Sequence, residues 1–235
     1  MSNTAMMKSG YTPGRRMHIK DPGSSITHFI GMVFAVFGTA PIIMKAATTH
    51  NPLHIVSITV FIVSMIMLYA ASTTYHTFDV NPTVNKALKK IDHCMIFVLI
   101  AGSYTPICLL VLHGKTGLIM FGIVWGIAIL GIVFKLCWVT CPKWISSVLY
   151  IGMGWVCIFA FTKIIHSLPT AAFLWLLVGG IIYTIGGVIY ALKLPIFNNL
   201  HKNFGSHEIF HLFVMGGSLC HYIMMYQYVA TMAIK

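Results

Sequence analysis

The chain has 235 residues, 58% hydrophobic and only 8% charged, with a formal net charge of +11 and four acids in all: Asp21, Asp79, Asp92 and Glu208. A soluble domain carries about a quarter charged residues. This chain falls far short of that, so lipid is the solvent for most of it; a soluble enzyme and a nucleic-acid-binding protein are excluded, and the basic excess reads as membrane topology rather than as a phosphate-binding face.

Residues 1–24 are polar and basic, without the apolar stretch of a cleaved leader. Seven apolar stretches of membrane-crossing length follow, at roughly 25–47, 53–76, 91–112, 116–138, 144–166, 169–192 and 207–230. Their connections are short and carry turn residues, as in Asn51-Pro52, Asn81-Pro82, Cys141-Pro142 and Leu194-Pro195. Residues 25–230 are therefore one seven-helix transmembrane domain, with a short cytoplasmic segment before it and a tail at 231–235. Pro41 and Pro106 fall inside spans one and three and are expected to kink them. The glycine pairs 179–180, 186–187 and 216–217 suit close approach of helices. The six cysteines lie in or beside apolar spans, so no disulfide framework is expected, and Cys137-x-x-x-Cys141 lacks the histidines of a metal site.

Lysine and arginine set the orientation. Eleven (Lys8, Arg15, Arg16, Lys20, Lys86, Lys89, Lys90, Lys135, Lys143, Lys193 and Lys202) fall on the side of the N-terminus and four (Lys45, Lys115, Lys163 and Lys235) on the other. Positive loops stay in the cytoplasm, which puts the N-terminus in the cytoplasm and the C-terminus outside. On this topology four spans deliver polar residues to one layer. Span two ends in "ASTTYH", with Ser72 and His76 four apart on one helix face. Span three begins "KKIDHCM", with Asp92 and His93. Span seven begins "SHEIFH", with His207 and His211, and span one contributes His28 from "SSITH". Large sequence separations rule out local repetition as the reason. Histidines at i and i+4 form a helix's natural bidentate clamp. A zinc ion that takes three imidazoles keeps a position for water and lowers its pKa from about 15.7 towards 7. The bland reading is hydrogen bonding between helices without a metal. His28 and Asp21 either support such a cluster or, with Ser24 and Ser25, cap span one. His221 lies about 15 Å deeper than His211, too far to share the ion. The remaining histidines read as loop or interface residues.

Together, Ser72-x-x-x-His76, Asp92 at the head of span three, His207-x-x-x-His211, "DPGSSITHFIG" and "IAGSYTP" resemble the progestin and adipoQ receptor / hemolysin III family, over nearly the whole chain. The resemblance implies a bacterial-type member: a seven-helix bundle with zinc near the cytoplasmic face, the ligands matching His76, His207 and His211, an aspartate beside the bound water matching Asp92, and a serine matching Ser72. It also implies a metal-dependent membrane hydrolase, ceramidase-like, cleaving an amide or ester bond of a lipid in the plasma membrane and contributing to lipid homeostasis. Asp92 is expected to take or position a proton, and Ser72 or the metal to stabilise an oxyanion. One departure is Glu208, which completes a literal His-Glu-x-x-His; on a metalloprotease helix it would be the general base, whereas here a structural or supporting role is expected, with an intramembrane protease as a lesser reading. A lipid-sensing regulator with structural zinc and a pore are the alternatives to an enzyme. Oligomeric state is not legible.

Overall fold

A computed structural model of the chain describes residues 19–192 and 204–234. Lys8, Arg15, Arg16, His18, Lys193, the Leu194-Pro195 turn, His201, Lys202 and Lys235 lie outside the described residues. Seven helices are long and apolar enough to cross a membrane: α1 Pro22–Ala47, α2 Pro52–Thr77, α3 Pro82–Leu112, α4 Gly114–Cys137, α5 Lys143–Ser167, α6 Thr170–Leu192 and α7 Ser206–Val229. The protein is an all-α, multi-pass membrane protein, and no strand forms among the described residues apart from an isolated bridge position at Phe204.

Each helix packs on its neighbours in the chain, α1 on α2, α2 on α3, α3 on α4, α5 on α6 and α6 on α7, while α3 and α4 both touch α5. The ring closes where α7 returns to α1. α3 is the most enclosed span. Large side chains such as Phe34, Phe37, Leu130 and Phe159 point outward on the rim, as expected where lipid rather than water bathes the surface.

Two asparagine–proline pairs read as turns are helix starts. Asn51 Oδ1 accepts from the backbone N–H of Leu53, and Asn81 Oδ1 from that of Val84, both at 2.9 Å. The following proline occupies the first helical turn, where a missing N–H costs nothing. α3 consequently begins at Pro82, nine residues before its apolar stretch, and carries Lys86, Lys89 and Lys90 on a polar stretch of about two and a half turns.

α5 departs from a continuous helix. It runs as an α-helix over Lys143–Gly154, tightens to a 3₁₀ stretch over Trp155–Ala160 and resumes over Phe161–Ser167. The hydroxyl of Tyr104 on α3 bridges the break: it donates to the Gly154 carbonyl at 2.6 Å and accepts from the Cys157 N–H at 2.8 Å. Pro106 marks a change of winding in α3, which becomes a π-helix over Ile107–Leu112. The α6–α7 seam uses one glycine of each pair: a Cβ on Gly179 would meet the His221 ring at 2.5 Å, one on Gly186 would meet Phe213 Cβ at 2.5 Å, and one on Gly217 the Tyr183 ring at 2.7 Å.

Lys135, counted among the cations on the N-terminal side and lying within span four, is fully buried near the end of α4.

Candidate metal centre

The chain enters α1 pinned to the end of α2. The backbone N–H of Lys20 donates to Thr77 O at 3.2 Å and that of Asp21 to His76 O at 2.9 Å. Ser25 and Thr77 hydroxyls meet at 2.6 Å on the same seam. These contacts set the Asp21 carboxylate against the His76 ring, whose Nδ1 lies 2.9 Å from Asp21 Oδ2. Asp21 is the residue before α1, yet its side chain makes no capping bond. The hydrogen bond from His76 holds its carboxyl below the usual carboxylate range, against the opposing pull of partial burial.

α7 arrives from the other end of the chain. Glu208, in its first turn, accepts from the Gly205 N–H through Oε2 at 2.8 Å, and through Oε1 from the Ser24 hydroxyl at 2.6 Å. An acid here satisfies one of the helix's unpaired N–H groups and suits its positive end. It also ties α7 to α1. Both carboxylate oxygens of Glu208 are thus engaged at the α1–α7 seam.

His76, His207 and His211 meet at this junction. Each offers one ring nitrogen, and the three nitrogens lie within 4.8 Å of one another. His76 Nε2 and His207 Nε2 are 3.2 Å apart, close to the roughly 3.3 Å separating two nitrogens bound to one tetrahedral zinc at about 2.05 Å each. His76 and His211 are buried and His207 is half-buried. Two of the three outer nitrogens have the partners that metal ligands require, and His207 Nδ1 has none among the described residues. His76 Nδ1 faces Asp21, and His211 Nδ1 faces the Ser24 carbonyl at 3.2 Å and the Thr27 hydroxyl at 3.3 Å. Donation from Nδ1–H leaves the Nε2 lone pairs of both rings aimed at the common centre. The group could hold a metal ion, and its all-imidazole donor set suits a transition metal.

His28 lies flat on His211, with ring centroids 3.6 Å apart and planes 7° apart, and meets Tyr69 edge-on. It is buried, and neither of its ring nitrogens has a hydrogen-bond partner among the described residues. Asp92 and Ser72 are buried beside the histidines and line the same cavity, as does His93. Ser72 Oγ makes no hydrogen bond of standard geometry, and His93 Nδ1 and His207 Nδ1 are likewise unpartnered. All nine residues singled out from the sequence thus gather around one end of the bundle. Ser24 and Ser25, offered as caps, instead bridge helices, and Thr27 was missed; its signal was its position one turn after Gly23 and Ser24, on the face that carries His28.

The cavity measures about 170 Å³. Along α3 its lining runs from Asp92 to Ile107, fifteen residues or about 22 Å of helix. Past the histidine end its wall is mainly apolar, with Leu99, Ile100, Phe173 and Leu177. His221 borders it at depth, its Nε2 3.4 Å from the Leu176 carbonyl, well apart from the histidine triad.

Comparison with known proteins agrees with this architecture. A profile of the family described as "Haemolysin-III related" matches residues 17–222. The chain is 40% identical to the "Hemolysin-3 homolog" of Bacillus subtilis (strain 168) over 195 residues, covering 83% of this chain and 87% of that one. It is 38% identical to "Hemolysin-3" of Bacillus cereus over 196 residues, 83% and 85% of the two chains. A distant likeness, 24% identity over 227 residues, links it to the "Adiponectin receptor protein" of Drosophila melanogaster, covering 88% of this chain and 50% of that one. The seven-helix protein described here belongs to the haemolysin III-related family.

Proposed function

We propose that the protein is a zinc-dependent hydrolase of the cell membrane that cleaves an amide or ester bond in a membrane lipid, ceramidase-like in its chemistry, and so contributes to lipid homeostasis. The observation that carries this reading is the convergence of three imidazole nitrogens within 4.8 Å at the end of a long, mostly apolar cavity that also exposes Asp92 and Ser72. His76, His207 and His211 would hold the metal. When bound there, zinc supplies Lewis acidity, acidifying water and polarising a carbonyl.

The chain's own residues do the rest. Leu99, Ile100 and Ile107 take the acyl chain along the cavity, excluding water from the reacting end. Asp92 holds a water by its carboxylate, accepts the proton released as that water attacks, and returns it to the departing amine or alkoxide as the C–N or C–O bond breaks. The Ser72 hydroxyl, which lies beside Asp92 and makes no hydrogen bond of standard geometry among the described residues, donates to the carbonyl oxygen as negative charge develops there. Asp21 keeps the His76 ring in one tautomer and one orientation. The charge asymmetry of the loops supports a cytoplasmic N-terminus and a site beneath the inner leaflet.

Metal analysis of protein purified without chelator tests the first half of this reading. About one zinc per chain is expected, lost in His76→Ala. Turnover of a panel of ceramides and acyl esters tests the second half, with activity abolished in Asp92→Asn while the metal stays. A wild-type protein without stoichiometric metal refutes the site. A second reading, a lipid-responsive regulator with structural zinc, draws on the same cavity being bordered by the 3₁₀ break in α5, so that an occupying lipid alters helix packing without bond cleavage. It gains if the metal is present and no lipid is ever turned over. The relatives' printed names suggest a pore; dye release from sealed vesicles tests that directly.

A further inference from the structure

A second polar cluster faces the same cavity from α4 and α5. Lys135 is fully buried, and no carboxylate among the described residues pairs with it. Its ammonium donates to Ser146 Oγ at 2.5 Å and to Cys141 Sγ at 3.1 Å, and these two atoms are 3.3 Å apart. The rings of Phe134 and Tyr150 lie 5.9 and 5.8 Å from Nζ. Ser146 and its neighbour Ser147 line the cavity. Ser147 is 4% exposed and its hydroxyl has no partner among the described residues.

A cation enclosed in a lipid-embedded bundle is costly unless something offsets its desolvation. Two neutral side chains offset it only partly. Because Ser146 Oγ accepts from an ammonium, its own O–H is polarised and becomes a stronger donor. Next to it the Ser147 hydroxyl is buried and unsatisfied, which itself costs free energy until an acceptor arrives. Two hydroxyl donors on one wall, one of them backed by a positive charge, are what an oxyanion requires.

We propose that Lys135, Ser146 and Ser147 form an anchor for the anionic head group, phosphate or carboxylate, of a lipid whose chain occupies the cavity. This assignment rests on the reading of the cavity as a lipid site and narrows the substrate class to oxyanion-bearing lipids. The head group meets the Ser146 and Ser147 hydroxyls. Lys135 acts through Ser146 as a positioning residue, without itself lining the cavity.

The test uses the full chain in a non-ionic detergent and three probes: dodecyl phosphate, dodecanol and inorganic phosphate, titrated by calorimetry. Dodecyl phosphate is expected to bind about ten-fold or more tightly than dodecanol, the factor a charge-assisted hydrogen bond carries. In Lys135→Met and Ser146→Ala this preference should fall to about two-fold or less, with dodecanol binding retained. Ser147→Ala removes a hydroxyl that bonds to nothing in the free protein; it should fold normally and still lose part of the preference, so the test survives if Lys135→Met fails to fold. If inorganic phosphate alone displaces dodecyl phosphate, the oxyanion site stands and soluble phosphate is its source. Equal binding of the two amphiphiles by the wild type, or an unchanged preference in all variants that fold, overturns the assignment. His207→Ala, which removes a proposed ligand, should lose the metal and keep the preference; loss of the preference with the metal would put the oxyanion on the metal and overturn the anchor, whereas a wild type that holds no metal yet shows the preference refutes the metal centre and leaves the anchor standing.

Discussion

Replacing Asp21 probes whether the histidine cluster is built for a metal or is merely a hydrogen-bonded knot. Its carboxylate accepts from His76 Nδ1 at 2.9 Å and makes the only charged contact to a proposed ligand among the described residues. A carboxylate behind a ligating imidazole fixes the tautomer and raises the basicity of the other nitrogen, and losing such a partner costs about 10–100-fold in metal affinity. Asp21 is 43% exposed at its side chain, so water partly replaces what it supplies. Asp21→Asn keeps an oxygen that can accept from Nδ1–H, and its expected loss is about ten-fold, or about 1.4 kcal/mol. Asp21→Ala removes the acceptor and should approach about 100-fold. Asp79 provides the control, an exposed carboxylate that accepts from Asn85 Nδ2 at 2.6 Å and forms no ion pair with a histidine among the described residues. Zinc affinity is read by competition with a chromophoric chelator in detergent. If Asp21→Ala binds zinc within about two-fold of both the wild type and Asp79→Asn, the orientation of His76 by Asp21 contributes nothing.

Glu208→Gln should keep its metal and lose about 0.5–2 kcal/mol of stability, the scale of a helix-start bond, read as a lower melting temperature at unchanged zinc content; loss of turnover with stability intact would restore the protease-type base. Gly186→Ala should destabilise by about 1–3 kcal/mol because the new methyl group meets Phe213 Cβ, whereas Gly126→Ala, with nothing within 4 Å, should be neutral in the same melting experiment. Tyr104→Phe deletes both bonds that bridge the α5 break and should lower the melting temperature and speed amide exchange at Cys157 N–H; unchanged exchange would show that the 3₁₀ stretch needs no clamp.

The seven spans were legible because hydropathy in a bilayer is a coarse physical filter that length and composition pass or fail. The start of α3 was not. The filter sees lipid-compatible residues, while Asn81 and Pro82 extend the helix through a polar turn that hydropathy ignores. The break in α5 was hidden too. Trp155–Ala160 is wholly apolar, and the cause is a hydroxyl from another helix. At the histidine cluster, residue types and depth were readable from the spacing of Ser72, His76, His207 and His211 together with orientation. Pairings were not: nothing local in "DPGSSITH" says that Ser24 will reach Glu208 across 184 positions. The full burial of Lys135 was not legible either, because a lysine near a span's end shows nothing of the neighbours that enclose it.

The histidine cluster joins the first, second and last membrane segments. During synthesis His28 and His76 enter the membrane long before His207 and His211 leave the ribosome. No nascent chain ending short of α7 can offer three imidazoles to one ion. Loading of the proposed metal would therefore follow synthesis of α7, and an ion held by the three rings would clasp the earliest-made part of the molecule to the latest.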